Sequence, residues 1–252
     1  MNTSLQTNNK KVLGIIGGMG PLSTAELFHT IVSFTEARQD ADHIHILIDN
    51  DPSVPDRTRA ILGSSMEPAT HIAQNIHKLA AQGAQVFIIC CNTSHFFYDS
   101  IVASTGENII SMPEVTAHHA ASKGYKHVCV LATDGTVRSG VYERALAQVG
   151  IETVSLSDEN QKQIMDIIYN DIKAGRETSE NDFCRLLSNI KSNNNVDGFL
   201  LGCTELSVAV KNMSSSVKDL FRFIDPLIIS AAECVTACGG QLTDEARNIL
   251  KE

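Results

Sequence analysis

The chain has 252 residues, of which 43% are hydrophobic and 19% are charged, enough apolar content for one large or two modest folded domains. Its formal net charge of −9 argues against nucleic acid or an anionic membrane surface as a partner. No apolar run approaches the roughly 18 residues that a membrane-spanning helix needs, so we expect no membrane partner.

The polar start of the chain and its scattered cysteines indicate the compartment. Residues 1–10 lack the apolar core of a signal peptide, and we expect them to form a disordered tail. Seven cysteines lie at positions 90, 91, 129, 184, 203, 234 and 238. They form no CxxC motif and no disulfide-framework spacing, and several lie within apolar runs. Reduced thiols in a cytoplasmic protein fit this pattern best.

Strand-like and helical patterns alternate through the first half of the chain. Short apolar runs predict strands at 12–16, 43–48 and 86–90. Pro21 lies early in the segment after the first strand, where proline suits the start of a helix. Apolar residues at helical spacing predict a helix over 67–82, which Gly83 closes as its C-cap.

The second half repeats this plan. Apolar runs predict strands at 128–132 and 199–201. Three helices are predicted between them: 141–149 before Gly150, a long one that ends near Lys173 with Gly175 as its cap, and one that includes Phe183 and Ile190. Asp225-Pro226 predicts the cap and first turn of a final helix through Ala237. Such alternation is typical of parallel sheets covered by helices on both faces, so the predicted fold class is α/β.

Two cysteines occupy matching places in the two halves. Cys91 and Cys203 each follow a short apolar run and precede small polar residues. The segments at 12–20 and 128–136 also match each other, and nearly the same number of residues separates them as separates the two cysteines. A duplicated unit would bring the two thiols face to face across a cleft. A cysteine in an apolar run is usually packing, which is our interpretation of Cys90, but ligands bind where parallel strands end. Two opposed thiols suit a reaction that needs a base and an acid on opposite sides of one carbon.

Two loops are candidates for binding an anion. The GGMGP segment at 17–21 follows a strand and precedes a helix, but the third glycine of a dinucleotide-binding GxGxxG would fall at Ser23. A tight turn that presents N–H groups to a small anion is the favoured interpretation. Arg57, in the loop at 55–58, is either a solvated turn residue or a guanidinium clamp for a carboxylate.

Histidine and cysteine pairs elsewhere do not predict a metal site. His43 and His45 share one face of a predicted strand, but the sequence supplies no convergent partners for them. Cys234 and Cys238 are one helical turn apart, which fits packing better than metal binding. We therefore predict no metal site.

Taken together, the motifs resemble the aspartate/glutamate racemase family, whose members invert acidic amino acids without a cofactor. The resemblance extends from Val12 to about Ala237 and rests on GGMGP at 17–21, PDRT at 55–58, CNTSH at 91–95, LATDGT at 131–136, KAG at 173–175, GCTE at 202–205 and IDP at 224–226. It implies two similar α/β domains with the active site in the cleft between them. Residues 11–113 and a C-terminal helix at 225–252 would form the first domain, and residues 114–224 the second. It also implies a homodimer and no cofactor.

The resemblance assigns roles to particular residues. Cys91 and Cys203 are implied to be the two acid/base residues, while Arg57 and Lys173 bind the substrate carboxylates. The other implied substrate-binding residues are Met19, Asn92, Thr93, Ser94, Thr133, Thr204 and Glu205, with Ser94 at a place where relatives often carry alanine. In the implied two-base mechanism, one thiolate removes the Cα proton and the opposite thiol returns a proton to the other face. The sequence does not distinguish aspartate from glutamate as the substrate.

Other functions are compatible with the same scaffold. Relatives include hydantoin racemases, maleate isomerases and arylmalonate decarboxylases. The decarboxylases use one cysteine, and Arg57 with Lys173 favours a dicarboxylic amino acid over a neutral ring. An alternative of another class is a non-catalytic protein that binds an amino acid, which could lose either thiol without losing its ligand. The presence of both thiols favours the enzyme.

Overall fold

The computed structural model, which describes residues 10–251, contains two parallel four-stranded sheets with the same strand order. The first sheet has the order β2-β1-β3-β4, with β1 (Leu13–Gly17), β2 (Ile46–Asn50), β3 (Val86–Ile89) and β4 (Ile109–Ile110). The second has the order β6-β5-β7-β8, with β5 (His127–Leu131), β6 (Glu152–Val154), β7 (Gly198–Leu201) and β8 (Phe223–Ile224). The predicted α/β class is confirmed, and the identical order is what a duplicated unit would produce. Below, each sheet with its helices is called a unit.

Thirteen α-helices of the described residues cover the sheets. They are α1 (Pro21–Phe34), α2 (Arg57–Leu62), α3 (Glu67–Ala81), α4 (Tyr98–Thr105), α5 (Met112–Ser122), α6 (Asp134–Ser139), α7 (Val141–Gln148), α8 (Asp158–Asp166), α9 (Glu180–Asn193), α10 (Thr204–Asn212), α11 (Ser215–Leu220), α12 (Pro226–Ala237) and α13 (Asp244–Ile249). Short 3-10 turns lie at Asp40–Asp42 and Thr93–Phe97, and a π-helical turn, Ile167–Ile172, continues α8. No helix among residues 10–251 is long and apolar enough to cross a membrane.

Alternating side chains of each strand pack against helices on both faces. In β1 and β3, Leu13, Ile15 and Ile88 pack with α1 and α12, whereas Ile16 and Ile89 pack with α3 and α4. The second sheet is covered in the same way, by α5 and α7 on one face and by α8 to α11 on the other. Burial on both faces explains why the strand sequences are continuous apolar runs.

Several predicted boundaries differ from those observed. The strand predicted at 43–48 begins only at Ile46, so His43 and His45 precede it and do not share a strand face. The predicted C-terminal helix at 225–252 is wrong as one helix, because α12 ends at Ala237 and Gly239, with a φ of +80°, turns the chain before α13. Residues 1–9 of the predicted tail lie outside the described residues, and the Lys10 ammonium donates to the carbonyl of Asp42.

The two units share helices as well as a cleft. Helix α12, though it follows the second sheet in the chain, packs against the first through Leu227, Ala231 and Val235. Helix α5 contributes Met112 to the first core and Ala117 to the second. The predicted boundary between residues 113 and 114 therefore falls within the first turn of a helix that belongs to both cores.

A buried histidine ties the end of β3 to the start of α5. The Nδ1 atom of His95 lies 3.0 Å from the carbonyl oxygen of Cys91, and its Nε2 accepts a hydrogen bond from the Met112 amide at 3.2 Å. This pattern requires a neutral ring with its proton on Nδ1. Burial lowers the pKa of His95 from 6.5 to about 4, so the ring stays neutral at physiological pH and fixes the backbone of Cys91.

We predict that His95 makes the fold sensitive to acid. As the pH falls from 6.5 towards 4, the unfolded chain binds a proton at this ring that the folded chain does not, so folding stability is lost in that window. The advantage of the wild type over His95→Gln should therefore shrink on acidification, by up to roughly 3 kcal/mol. Denaturant unfolding at several pH values measures this difference. His77→Gln, at an exposed histidine of α3, is the control, and a pH-independent difference for His95→Gln would contradict the assignment.

Candidate active site

A small cavity of about 290 Å³ lies between the carboxyl ends of the two sheets. It is lined by Met19, Asp56, Arg57, Thr58, Cys91, Asn92, Thr93, Thr133, Tyr169, Lys173, Cys203, Thr204 and Glu205. Of the residues proposed from the sequence, Ser94 alone does not line this cavity. Its buried hydroxyl lies 3.5 Å from the sulfur of Met19, so it supports a lining side chain from behind.

Cys91 and Cys90 lie on opposite faces of the first sheet. Cys91 follows β3 by two residues, is 5% exposed and belongs to the cavity wall. Cys90 is fully buried in the other core, with its sulfur 3.5 Å from the carbonyl oxygen of Ser23, and burial raises the pKa of its thiol. The alternation of side chains along an extended backbone thus separates a cysteine of the cavity from a cysteine of the core.

Cys203 is held in its protonated form by a buried carboxylate. It follows β7 by two residues, and its thiol donates a hydrogen bond of 2.9 Å to Oε2 of Glu205. Burial, together with the charge of Glu205, raises the pKa of Cys203 well above its ordinary value. The described site therefore contains a thiol, not a thiolate, at Cys203.

The same carboxylate pairs with Lys173. Its Oε1 accepts a hydrogen bond from the Lys173 ammonium. Burial alone would raise the pKa of Glu205, but the Lys173 charge and the Cys203 thiol outweigh it and hold the pKa below its usual range. Lys173, which the resemblance assigns to a substrate carboxylate, is thus already neutralised by a carboxylate of the protein.

Arg57, in contrast, has no carboxylate partner among the described residues. Its guanidinium donates to the carbonyl oxygens of Val54 at 2.9 Å, Pro55 at 3.0 Å and Met19 at 3.3 Å. Its buried Nε has no hydrogen-bond partner within residues 10–251. Within the described residues, the positive charge of Arg57 is therefore contacted by carbonyl oxygens and not by a carboxylate. Such a guanidinium is suited to bind an anionic group of a ligand.

Threonine hydroxyls join the two units beside the cavity. The Thr93 hydroxyl lies 2.8 Å from that of Thr136 and 3.2 Å from that of Thr133. The Thr58 hydroxyl lies 3.3 Å from that of Thr133. Since Thr58 and Thr93 come from the first unit and the other two from the second, these contacts hold the two sides of the cleft together.

Sequence reasoning missed Asp56, Thr58 and Tyr169. Asp56 and Thr58 lie on either side of Arg57 in the PDRT segment, so the prediction of Arg57 as a site residue could have been extended to them. Tyr169 lies on the π-helical turn, and its hydroxyl is 3.4 Å from Oδ2 of Asp56 and 3.5 Å from the Thr58 hydroxyl. The Lys173 ammonium lies 5.8 Å from its ring centroid. π-Helical turns are often found at functional sites, but the apolar spacing predicted only a regular helix here.

The cavity continues into a larger one of about 770 Å³. The two share Met19, Arg57, Lys173 and Glu205, and the outer one is also lined by apolar side chains, including Leu22. The Arg57 guanidinium and the Lys173–Glu205 pair therefore lie where the two cavities meet.

The tight turn after β1 positions Met19. The Gly18 amide donates to the Thr24 hydroxyl at 3.0 Å, so this amide of the predicted anion site is already used within the protein. A side chain at Gly17 would meet the Thr24 side chain at 2.3 Å, so glycine there lets α1 pack closely. The turn places the buried Met19 side chain in the cavity.

Comparison with known proteins gives consistent results. Residues 16–234 match the Asp/Glu/hydantoin racemase family. The chain is 23% identical over 210 residues to the broad specificity amino-acid racemase RacX of Bacillus subtilis, an alignment that covers 82% of this chain and 90% of the relative. The structure of Picrophilus torridus aspartate racemase is similar with a TM-score of 0.79 and 30% identity, covering 96% of this chain and 99% of that one. Glutamate racemase from Francisella tularensis in complex with D-glutamate has the same fold, with a TM-score of 0.63, 17% identity and coverages of 97% and 84%.

We predict that Glu205→Gln makes Cys203 more reactive. The neutral amide removes the negative charge that, after burial, does most to raise the thiol pKa, while the Lys173 ammonium remains. Alkylation of Cys203 by iodoacetamide at pH 7 should become about tenfold faster, because each unit of pKa changes the thiolate fraction tenfold. Mass spectrometry of the Cys203 peptide over time measures the rate.

The matched control is Glu26→Gln, which removes a carboxylate paired with Lys211 at 2.6 Å outside this cavity. It should leave the rate at Cys203 unchanged. An equal or slower rate at Cys203 in Glu205→Gln would show that the carboxylate does not hold the thiol in its protonated form.

Proposed function

This chain belongs to the Asp/Glu/hydantoin racemase family, and from that premise we propose that it interconverts the L and D forms of aspartate or glutamate without a cofactor. The family makes the protein an amino-acid racemase, an isomerase. The observation that carries the proposal is that Cys91 and Cys203, each two residues beyond an equivalent strand, line the same small cavity.

The two cysteines supply the base and the acid. In one direction, the thiolate of Cys91 removes the Cα proton and the thiol of Cys203 gives its proton to the opposite face, so that Cys203 ends as the thiolate. The reverse reaction exchanges these roles. Because two thiolates facing each other would repel, the mechanism uses one cysteine as the thiolate and the other as the thiol. The hydrogen bond from Cys203 to Glu205 supports Cys203 as the acid in the described state.

The charged groups of the cavity favour an acidic amino acid. Arg57 and Lys173 contribute two positive charges to the cavity, and Asp56 and Glu205 contribute two negative charges. A substrate with two carboxylates and one ammonium group would find an opposite charge for each of its three groups. Arg57 has unused capacity for a carboxylate, since its buried Nε has no partner among the described residues. A neutral hydantoin ring would leave Arg57 without an anionic partner.

The proposal also includes a cytoplasmic location and a homodimer. All seven cysteines are free thiols, as a reducing compartment would keep them. Exposed apolar side chains, including Leu62, Met66 and Phe96, could be covered by a second copy. Light scattering of the purified protein tests the homodimer, and a monomer at all concentrations would rule it out.

We predict that Cys91→Ser and Cys203→Ser each reduce racemisation by roughly a hundredfold or more, since each removes an obligatory proton carrier. The assay follows formation of the opposite enantiomer by circular dichroism and deuterium incorporation at Cα by NMR in D₂O, for protein treated with chelator and a carbonyl-trapping reagent. Aspartate, glutamate and several neutral amino acids are compared. Cys90→Ser, one residue away in the core, should lower stability at most and retain activity.

Two outcomes of this assay would decide against the proposal. Near wild-type racemisation in Cys91→Ser or Cys203→Ser would refute the two-base assignment. If the wild type exchanged the Cα proton of none of these amino acids, a non-catalytic binding protein would become the better interpretation. Exchange confined to neutral amino acids would retain the racemase but reject the acidic substrate.

We predict that Arg57→Lys reduces kcat/KM for acidic substrates by about 30-fold, or roughly 2 kcal/mol, while the fold is retained. Lysine keeps the charge but cannot form the planar fork that holds a carboxylate and three carbonyls together. The control is Arg59→Lys, at an exposed position of the same helix, which should leave kcat/KM unchanged. Equal kinetics for both variants would place Arg57 outside the substrate site.

A further inference from the structure

A buried amide group in the cavity wall has an unused donor. Asn92 directly follows Cys91 and is 2% exposed. Its Nδ2 has no hydrogen-bond partner among the described residues. A buried donor without a partner costs roughly 1–3 kcal/mol, so a group of this kind at a ligand cavity is expected to be satisfied when the ligand binds.

The other end of the same amide is held by a tyrosine of the second unit. The Tyr142 hydroxyl, on α7, donates a hydrogen bond of 2.5 Å to Oδ1 of Asn92. The Tyr142 side chain is fully buried. Burial, followed by the charge of Asp225, raises the pKa of Tyr142 well above its ordinary value, so the hydroxyl keeps its proton. Because the Tyr142 hydroxyl holds Oδ1 on its own side, the end of the amide left for a ligand is Nδ2.

This hydrogen bond crosses between the units. Asn92 follows β3 of the first sheet, whereas Tyr142 belongs to the core of the second sheet with Val130 and Leu200. The hydroxyl contacts of Thr93 with the second unit lie one residue away in the chain. The bond therefore exists only when the two units are in the described relation to each other.

We propose that Tyr142 is a positioning residue, which turns the Asn92 amide so that its Nδ2 donates to the substrate α-carboxylate when the cleft is closed. This inference rests on the proposed function. The opposite orientation would present the amide oxygen to a carboxylate and repel it. When the Cα proton leaves, negative charge spreads onto the α-carboxylate, and a donor that is already aimed there stabilises that charge without reorganisation.

We expect the loss of the Tyr142 hydroxyl to lower kcat much more than it changes KM. A donor that gains strength as charge develops affects the transition state more than the bound substrate. Tyr142→Phe removes only the hydroxyl and should lower kcat by about 10- to 100-fold, less than the loss of a whole oxyanion donor, while KM changes less than about threefold. Both constants are measured for the racemisation of aspartate and glutamate, with the melting temperature recorded for each variant.

The control is Tyr98→Phe. The Tyr98 hydroxyl also donates a close hydrogen bond, 2.7 Å to the carbonyl oxygen of Ile109, but it is not in the wall of the catalytic cavity. This variant also removes a close hydrogen bond of a tyrosine hydroxyl, at a half-buried position, and should leave kcat unchanged. A similar fall of kcat in both variants would show a general effect of stability and overturn the proposal.

A double-mutant cycle tests whether Tyr142 acts through Asn92. In an Asn92→Ala background, Tyr142→Phe should cause no further loss of kcat, because the group that it positions is absent. A further loss equal to that in the wild type would overturn the proposal. If the wild type racemised an amino acid and Tyr142→Phe did so with the same kcat, this inference would fail and the proposed function would stand. If the wild type exchanged no Cα proton, the proposed function would fail and this inference with it.

Discussion

Parallel pairing of the strands is the constraint on which the whole cavity depends. In a parallel sheet every strand ends at the same edge, so the loops that follow the strands converge. In this chain β1 leads to Met19, β3 to Cys91, β5 to Thr133 and β7 to Cys203. Because the two sheets have the same order, the same two central strands of each unit supply these residues. The two edges face each other and enclose one cavity.

Equivalent position does not give the two cysteines equal chemistry. The residue two places after Cys91 is Thr93, whose hydroxyl contacts other threonines, whereas the residue two places after Cys203 is Glu205. The buried carboxylate of Glu205 accepts a hydrogen bond from the Cys203 thiol, and its negative charge pairs with the Lys173 ammonium. One substitution in the repeat thus determines which cysteine is held as a thiol and leaves Arg57 as the cation without a counter-ion in the described site.

Close approach of the two units depends on small side chains at the contact. A Cβ at Gly135 of α6 would lie 2.7 Å from the Thr58 hydroxyl oxygen and 2.8 Å from the Thr58 Cα. Only glycine therefore allows α6 to lie against α2 at this distance. Once the units are this close, the threonine hydroxyls, the Tyr169 hydroxyl and the Tyr142–Asn92 hydrogen bond can reach across the cleft. The close packing of α6 against α2 is thus what allows the hydrogen bonds beside the cavity to form.

The sequence alone determined what depends on local patterns. Apolar runs and helical spacing were sufficient for the α/β class, for β3 and β7, and for the place of Cys91 and Cys203 at the strand ends. Proline and glycine positions predicted the starts of α1 and α12 and the cap after α3. Only the tertiary structure decided which groups meet across long separations, such as Lys173 with Glu205 or Tyr142 with Asn92. Charge pairing and hydrogen bonds between distant residues follow from how the two units pack, and no local pattern records that packing.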